Sequence, residues 1–261
     1  MGFFTDTTLC IGCKACEVAC KEWNGLSADG LDFTAQSYDN TGQLDGSTWR
    51  HVAFVEQFAA PAPPGEARGA PQRDGRWLMS SDVCKHCTHA ACLDVCPTGA
   101  LFRSEFGTVV VQDDVCNGCG YCVPACPFGV LDRKPADGRV AKCTLCYDRL
   151  KGDETPACAK ACPTESIQFG TLADLRARAR ERLDVVRECD SSARLYGADE
   201  TDGVGGFGAF FLLLDEPQVY GLPPDPAVTT RHLGQMWLSA AKAAAMVAAV
   251  MFGAAMAGVR R

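Results

Sequence analysis

Sixteen of the seventeen cysteines in this 261-residue chain fall into four groups of four at metal-ligand spacing. The first is Cys10-x2-Cys13-x2-Cys16-x3-Cys20 and the second Cys84-x2-Cys87-x4-Cys92-x3-Cys96-Pro97. The third is Cys116-x2-Cys119-x2-Cys122-x3-Cys126-Pro127 and the fourth Cys143-x2-Cys146-x11-Cys158-x3-Cys162-Pro163. A Cys-x2-Cys step lets two thiolates from one tight turn reach one metal centre, and two such steps surround three corners of an iron–sulfur cubane. Zinc is the bland alternative, but zinc sites use two separated Cys-x2-Cys pairs, commonly with His. A third cysteine at short spacing plus a Cys-Pro, repeated along the chain, follows the iron–sulfur pattern instead. Soft, thiolate-only ligation agrees with that reading.

In two-cluster ferredoxins the cysteine before the proline ligates the other cluster. The second and third groups are adjacent and joined by an expected hairpin, so they pair under this crossing rule, and the first and fourth form the other pair. Four ligand sets result. Set 1 is Cys10, Cys13, Cys16 and Cys162; set 2 is Cys143, Cys146, Cys158 and Cys20. Set 3 is Cys84, Cys87, Cys92 and Cys126; set 4 is Cys116, Cys119, Cys122 and Cys96. The first group departs from the pattern, because Lys21 and not proline follows Cys20. The expected cofactors are four [4Fe–4S] clusters, with iron held through these sixteen cysteines. Cys189 lies outside every group and reads as a partly buried thiol. His86 and His89 sit inside the second group, where all four thiolates are already supplied, so packing or a hydrogen bond to sulfur is expected of them. Lys14, Lys85 and Lys142 each neighbour a ligand cysteine, either raising a cluster's potential or simply solvated. No catalytic constellation is found: no glycine-rich phosphate loop opens a helix, and fully ligated clusters offer no open iron to a substrate.

The elements that must position these groups are a mixture of short strands and helices. Trp49 to Phe58 alternates as a strand, Ala59 to Gly75 reads as a loop, and Arg76 to Met79 could return as a second strand. Ala100 to Arg103 and Gly107 to Val111 read as a hairpin, and Leu172 to Val186 as a surface helix with Leu172, Leu175 and Leu183 on one side. Tyr196 to Asp225 is punctuated by Gly and Pro around one buried-looking run, Gly208 to Leu214. Leu233 to Val259 is apolar over 27 residues with one lysine, Lys242, long enough to span a bilayer. An alanine-rich helix buried against a partner is the alternative. The net charge of −7 opposes a nucleic-acid surface. A secreted disulfide scaffold is opposed by the chain length, the bunched cysteines and an N-terminus, Met1 to Thr8, without the basic and apolar regions of a signal.

The pattern resembles the iron–sulfur (beta) subunits of membrane-bound respiratory formate dehydrogenase, within the four-cluster ferredoxin family that serves molybdopterin oxidoreductases. The resemblance is carried by CIGCKACEVACKEWN (Cys10 to Asn24), KHCTHAACLDVCPTGAL (Lys85 to Leu101), CNGCGYCVPACPF (Cys116 to Phe128) and the segment Lys142 to Gly170. Gly203-Val-Gly-Gly, Tyr220-Gly-Leu-Pro-Pro-Asp-Pro and the final helix with Trp237 and Lys242 extend it over nearly the whole chain. Subunits of sulfur-compound, dimethyl sulfoxide and nitrate reductases and of some hydrogenases share the four-cluster pattern, and a hydrogenase or a sulfur-compound or dimethyl sulfoxide reductase is the alternative assignment. CKEWN and the anchor favour formate dehydrogenase.

The resemblance implies a non-catalytic electron-transfer subunit. It relays electrons from a molybdenum- or tungsten-pterin catalytic alpha subunit to a membrane cytochrome b gamma subunit that reduces quinone, and binds no nucleic acid. The expected fold is α+β: two ferredoxin-like modules, each with two [4Fe–4S] clusters, an inserted β segment and one C-terminal transmembrane helix. The expected division is an iron–sulfur domain at 1–195 with an insertion at about 24–82, a linker docking toward the membrane partner at 196–231, and the transmembrane helix at 232–261. The family places the clustered domain outside the cytoplasmic membrane. Arg260 and Arg261 after the helix then put the C-terminus in the cytoplasm under the positive-inside rule.

Overall fold

The structure is a computed structural model that describes residues 1–28, 30, 38–39, 41–57 and 75–259. The expected loop over Ala59 to Gly75 falls almost wholly, and the flanking Arg260 and Arg261 wholly, outside the described residues. The chain divides into two units, Met1–Val228 and Thr229–Arg261.

The first unit is organised around a strand with no polar face. β1 (Gly2–Asp6) reads Gly-Phe-Phe-Thr-Asp, and all five residues are buried. A strand buried on both faces must be covered on both. Phe3 packs with the cysteine motifs, Leu101, Val109 and Leu145. Phe4 packs with Phe210 and the apolar stripe of a helix on the other side. After β1 the chain runs through α1 (Ala15–Asn24), an antiparallel pair β2 (Arg50–Gln57) and β3 (Arg76–Val83), and a single turn α2 (Ala91–Asp94). A hairpin β4 (Leu101–Arg103) and β5 (Val109–Val111) leads to α3 (Cys122–Ala125), and a two-residue pair β6 (Asp132–Arg133) and β7 (Val140–Ala141) leads to α4 (Tyr147–Lys151) and α5 (Ala157–Lys160).

β8 (Ile167–Gly170) then returns antiparallel to β1. α6 (Leu172–Arg187) is capped by Thr171, whose hydroxyl accepts from the Asp174 N–H, and buries Leu175, Ala179, Leu183 and Val186 at the helical repeat. β9 (Arg194–Tyr196) and β10 (Ala209–Leu213) complete a four-stranded sheet in the order β8-β1-β10-β9, with β1 and β10 parallel.

The stretch 196–231, expected as a linker, thus carries the inner strand β10, whose five residues are all buried, and belongs to the first unit as far as Val228. An apolar run of that kind needs ladder partners on both edges and supplies its own reason for docking. Cys189 differs from expectation too: it is exposed, because α6 stops at Arg187 and the buried stripe ends at Val186. In the second unit, α7 (Leu233–Val259) contains a stretch, Leu233–Ala255, of 23 residues with mean hydropathy 1.7. By length and composition it can cross a membrane, since about 35 Å of helix exceeds a hydrocarbon core of about 30 Å.

Candidate metal centres

Each cysteine group folds as a turn followed by a helical turn. The turns carry residues in the left-handed backbone region: Gly12 and Lys14 in the first group (φ 66° and 59°), His86 in the second (46°), Gly118 and Gly120 in the third (73° and 75°), Leu145 and Cys146 in the fourth (59° and 49°). Such residues turn successive N–H groups into one concavity, a shape that receives anionic centres including iron–sulfur clusters. Glycine adopts it freely. At His86 and Leu145 it costs about 1–3 kcal/mol each and persists only where the surroundings hold it; both are fully enclosed. The x3 spacing falls on α1 for Cys16 and Cys20, and on or beside α2, α3 and α5 in the other groups. About 6 Å of axial rise separates positions i and i+4, so the two thiols of each such pair reach different neighbours.

The thiols come together in four groupings. Cys10, Cys13, Cys16 and Cys162 line one cavity. Cys84, Cys87, Cys92 and Cys126 line another. Cys143, Cys158 and Cys146 lie near enough to Cys20 to act on its charge, and Cys96, Cys116 and Cys119 do the same at Cys122. These memberships are those of sets 1, 3, 2 and 4. Neighbouring groupings also feel each other: Cys16 lies near Cys158, Cys143 near Cys84, and Cys92 near Cys122. The series in space is therefore set 1, set 2, set 3, set 4. All four cysteines of set 2 are buried, whereas Cys13 of set 1 is exposed.

Burial pushes most of these thiols up. It raises Cys16, Cys122 and Cys146 to about 11 and Cys92 and Cys143 to about 12, and neighbouring thiols reinforce the effect. Cys96 departs: burial raises it, but hydrogen bonds at Leu101, Thr98 and Ala100 together hold it below its ordinary value. Metal must therefore displace protons from most of these sulfurs.

Three cations are enclosed beside them: Arg50, Lys85 and Lys142, each at most 1% exposed. The Lys85 ammonium donates to the Val83 carbonyl at 2.8 Å and to Asp82, and lies over the rings of Phe128 and Phe211. Lys142 donates to the carbonyls of Cys143, at 2.8 Å, and Val109. Of the two sequence readings for these lysines, solvation is excluded. Lys14 is the more open of the three motif lysines and pairs with Glu17 and Asp39. Arg50 escaped sequence reasoning altogether; the available signal was a basic residue heading a strand that pairs back to the second cysteine group. Burial alone would lower its pKa, and the anionic sulfurs of Cys158 and Cys16 more than offset this. His86 accepts from the Val109 N–H through Nδ1 at 3.1 Å, so its proton sits on Nε2. Burial, then Lys142 and Arg103, hold it neutral.

The first group's tail is tied down by its own residues. Lys21 donates to the Ser27 and Ser47 carbonyls and to the Thr48 hydroxyl. Trp23 donates to Asp148 at 2.9 Å and stacks under Arg149 at 4.2 Å. Asn24 donates to the Cys20 carbonyl and toward its sulfur at 3.6 Å.

Converging thiols, concave turns of backbone N–H groups and enclosed cations together suit an anionic, thiolate-ligated cluster.

Two family profiles, both described as "4Fe-4S dicluster domain", match residues 9–100 and 75–172. The formate dehydrogenase iron–sulfur subunit of Haemophilus influenzae is 38% identical over 260 residues, covering 97% of this chain and 77% of that protein. The nitrate-inducible formate dehydrogenase iron–sulfur subunit of Escherichia coli is 38% identical over 246 residues, 91% of this chain and 76% of that protein. A subunit of the anaerobic dimethyl sulfoxide reductase of Escherichia coli is 35% identical over 178 residues, 67% of this chain and 75% of that protein.

Proposed function

The chain belongs to the formate dehydrogenase iron–sulfur subunits, and on that premise we propose that sets 1 to 4 hold four [4Fe–4S] clusters connecting a formate-oxidising subunit to a quinone-reducing one. The observation that carries the reading is the meeting of all sixteen motif cysteines in four neighbouring groupings inside one folded unit. Bound clusters supply one-electron carriers whose potentials respond to charge, burial and hydrogen bonds at sulfur.

The chain's own residues do the rest. The thiols of sets 1 to 4 take up iron after losing their protons. Phe3, Phe128 and Leu145 close apolar surface over the groupings and keep water out. The left-handed turns aim backbone N–H groups at the sulfurs, and Arg50, Lys85 and Lys142 place fixed positive charge among them. The β2–β3 pair belongs to an inserted β segment over about residues 24–82 that brings Arg50 and Ser81 between sets 1 and 2. The double-ferredoxin domain covers 1–195, residues 196–231 close its sheet and lead toward the membrane partner, and 232–261 form a single-pass anchor in the cytoplasmic membrane. The clustered unit faces outward and the C-terminus inward. The partners are a molybdenum- or tungsten-pterin catalytic subunit and a cytochrome b subunit.

The test is to measure iron, acid-labile sulfide and zinc in the detergent-purified complex together with formate-to-quinone activity. About sixteen iron atoms per copy of this chain, after subtracting iron held by partners, is the expected content for four cubanes. Sixteen iron without formate activity would assign the chain to another oxidoreductase, and zinc without sulfide would overturn the cluster reading.

A further inference from the structure

Arg50 is an enclosed charge that lacks an acidic partner: it is 1% exposed, and among the described residues no carboxylate comes within ion-pair distance. A buried guanidinium without countercharge is strongly unfavourable, so the charge that balances it must come from what surrounds it. One Nη donates to the sulfur of Cys158 at 3.4 Å. The other donates to the carbonyl and hydroxyl of Ser81, both at 3.2 Å, and the Ser81 hydroxyl lies 3.3 Å from the sulfur of Cys16. The guanidinium rests over the Phe3 ring at 4.9 Å, and its Nε–H has no acceptor among the described residues. Cys158 belongs to set 2 and Cys16 to set 1. The paired register sets both polar residues in place, since Arg50 stands opposite Val83 and Ser81 opposite Val52.

We propose that Arg50 sets the reduction potentials of the set 1 and set 2 clusters together, as one fixed cation forked between Cys158 directly and Cys16 through Ser81. This rests on the assignment of those sets to [4Fe–4S] clusters. Reduction adds one electron to each cluster while the guanidinium charge stays constant, so Arg50 favours the reduced form at both. A single residue thereby raises the potentials of two adjacent carriers together, and it acts as a positioning residue on sulfur, not as an electron carrier.

The test uses the whole complex with Arg50→Gln and Arg50→Lys. Iron and sulfide are counted, then each cluster's paramagnetic signal is followed in a reductive titration, with signals assigned by a cysteine-to-alanine variant in each set. The glutamine variant is expected to keep its iron and to leave sets 3 and 4 unmoved. At a fixed ambient potential its set 1 and set 2 clusters should each be about tenfold less reduced, equivalent to about 59 mV for a one-electron couple. Unmoved potentials at sets 1 and 2, movement of only one of them, or an equal shift at all four would overturn the proposal. Should the glutamine variant lose iron, the lysine variant decides. It keeps the charge, so its set 1 and set 2 potentials should stay close to those of the unaltered complex, and a tenfold change in the reduced fraction of either set refutes an effect of charge. Absence of iron and sulfide from the unaltered complex would instead overturn the ligand assignment beneath it.

Discussion

Truncating Phe210 to alanine should loosen the sheet and empty one grouping before the others. Phe210 is fully buried, lies opposite Phe4 in the parallel register, and stacks on its ring with centroids 5.3 Å apart and planes 20° from parallel. Removing a buried phenyl ring from such a site costs about 4 kcal/mol, the lost ring pairing included. In a unit of this size each kcal/mol lowers the melting temperature by about 2–4 °C, so the midpoint should fall by about 8–16 °C. The consequence for the metal follows from connectivity. β1 leads directly into Cys10, and β8, its neighbour on the other edge, follows directly from Cys162. Set 1 is thus suspended from the sheet at both ends, whereas set 3 meets it only where the Gly208 and Ala209 N–H groups donate to the carbonyls of His86 and Lys85, and set 4 depends on the hairpin β4–β5 and on β6–β7. The assay is thermal melting of the purified complex, followed by circular dichroism and by the visible absorbance and paramagnetic signals of the clusters. The set 1 signal should vanish first. A fall of less than about 3 °C, or parallel loss of all four signals, would refute the reasoning, and Phe210→Leu should recover most of the stability.

Three further outcomes are expected. Cys119→Ala should remove or convert the set 4 cluster and stop electron flow from formate to quinone, while formate oxidation with an artificial acceptor at the catalytic subunit persists; unchanged quinone reduction would refute a relay through that set. Arg182→Met should destabilise the first unit by about 3 kcal/mol, because it leaves a buried carboxylate without its cation. Asp6 is fully buried and accepts from Arg182 Nε at 2.9 Å, and the melting temperature reads the loss. Raised thiol pKa values give the iron-free chain a pH dependence of known sign. Folded Cys16 and Cys122 hold their protons to about 11 against an ordinary value of 9.0, so this contribution is complete below pH 9 and is lost between pH 9 and about 11. The chelated protein should melt progressively lower across that window. The loaded complex, its sulfurs bound to iron, should not, and equal slopes for the two would refute the assignment.

What was legible in the sequence was local. Leu172 to Val186 declares itself through leucines at helical spacing, and the hairpin around Gly107 through short β-branched runs at a glycine turn. The Gly208 to Leu214 run was visibly apolar, but nothing near it reveals that its inner partner is Phe3 to Asp6, some 200 residues earlier. The pair β6–β7 is two residues long on each side and leaves no alternation to read. Lys85 and Lys142 looked as fit for water as for burial, since enclosure is decided by Phe128, Phe211 and Val109 on other segments. Arg50 was hidden for the same reason: its surroundings are built from β1, β3 and α5, and no window of sequence contains them together. Of the site, the cysteine spacing was readable. The left-handed turns at His86 and Leu145 were not, because no local propensity marks either residue for that backbone.

The parallel pairing of β1 with β10 also fixes a timetable for the growing chain. Thr7 donates to the carbonyl of Leu212 at 2.7 Å, and Phe3 and Phe4 gain their inner neighbour only when that strand has been made. At about 5–20 residues per second, this apolar segment waits about 10–40 s for its last partner. Until then it is an uncovered strand of the kind that invites association between chains. Cys84 to Cys126 close on themselves within a short span, while Cys10 waits for Cys162. The newborn protein therefore completes its middle before its beginning, and something must shelter that beginning meanwhile.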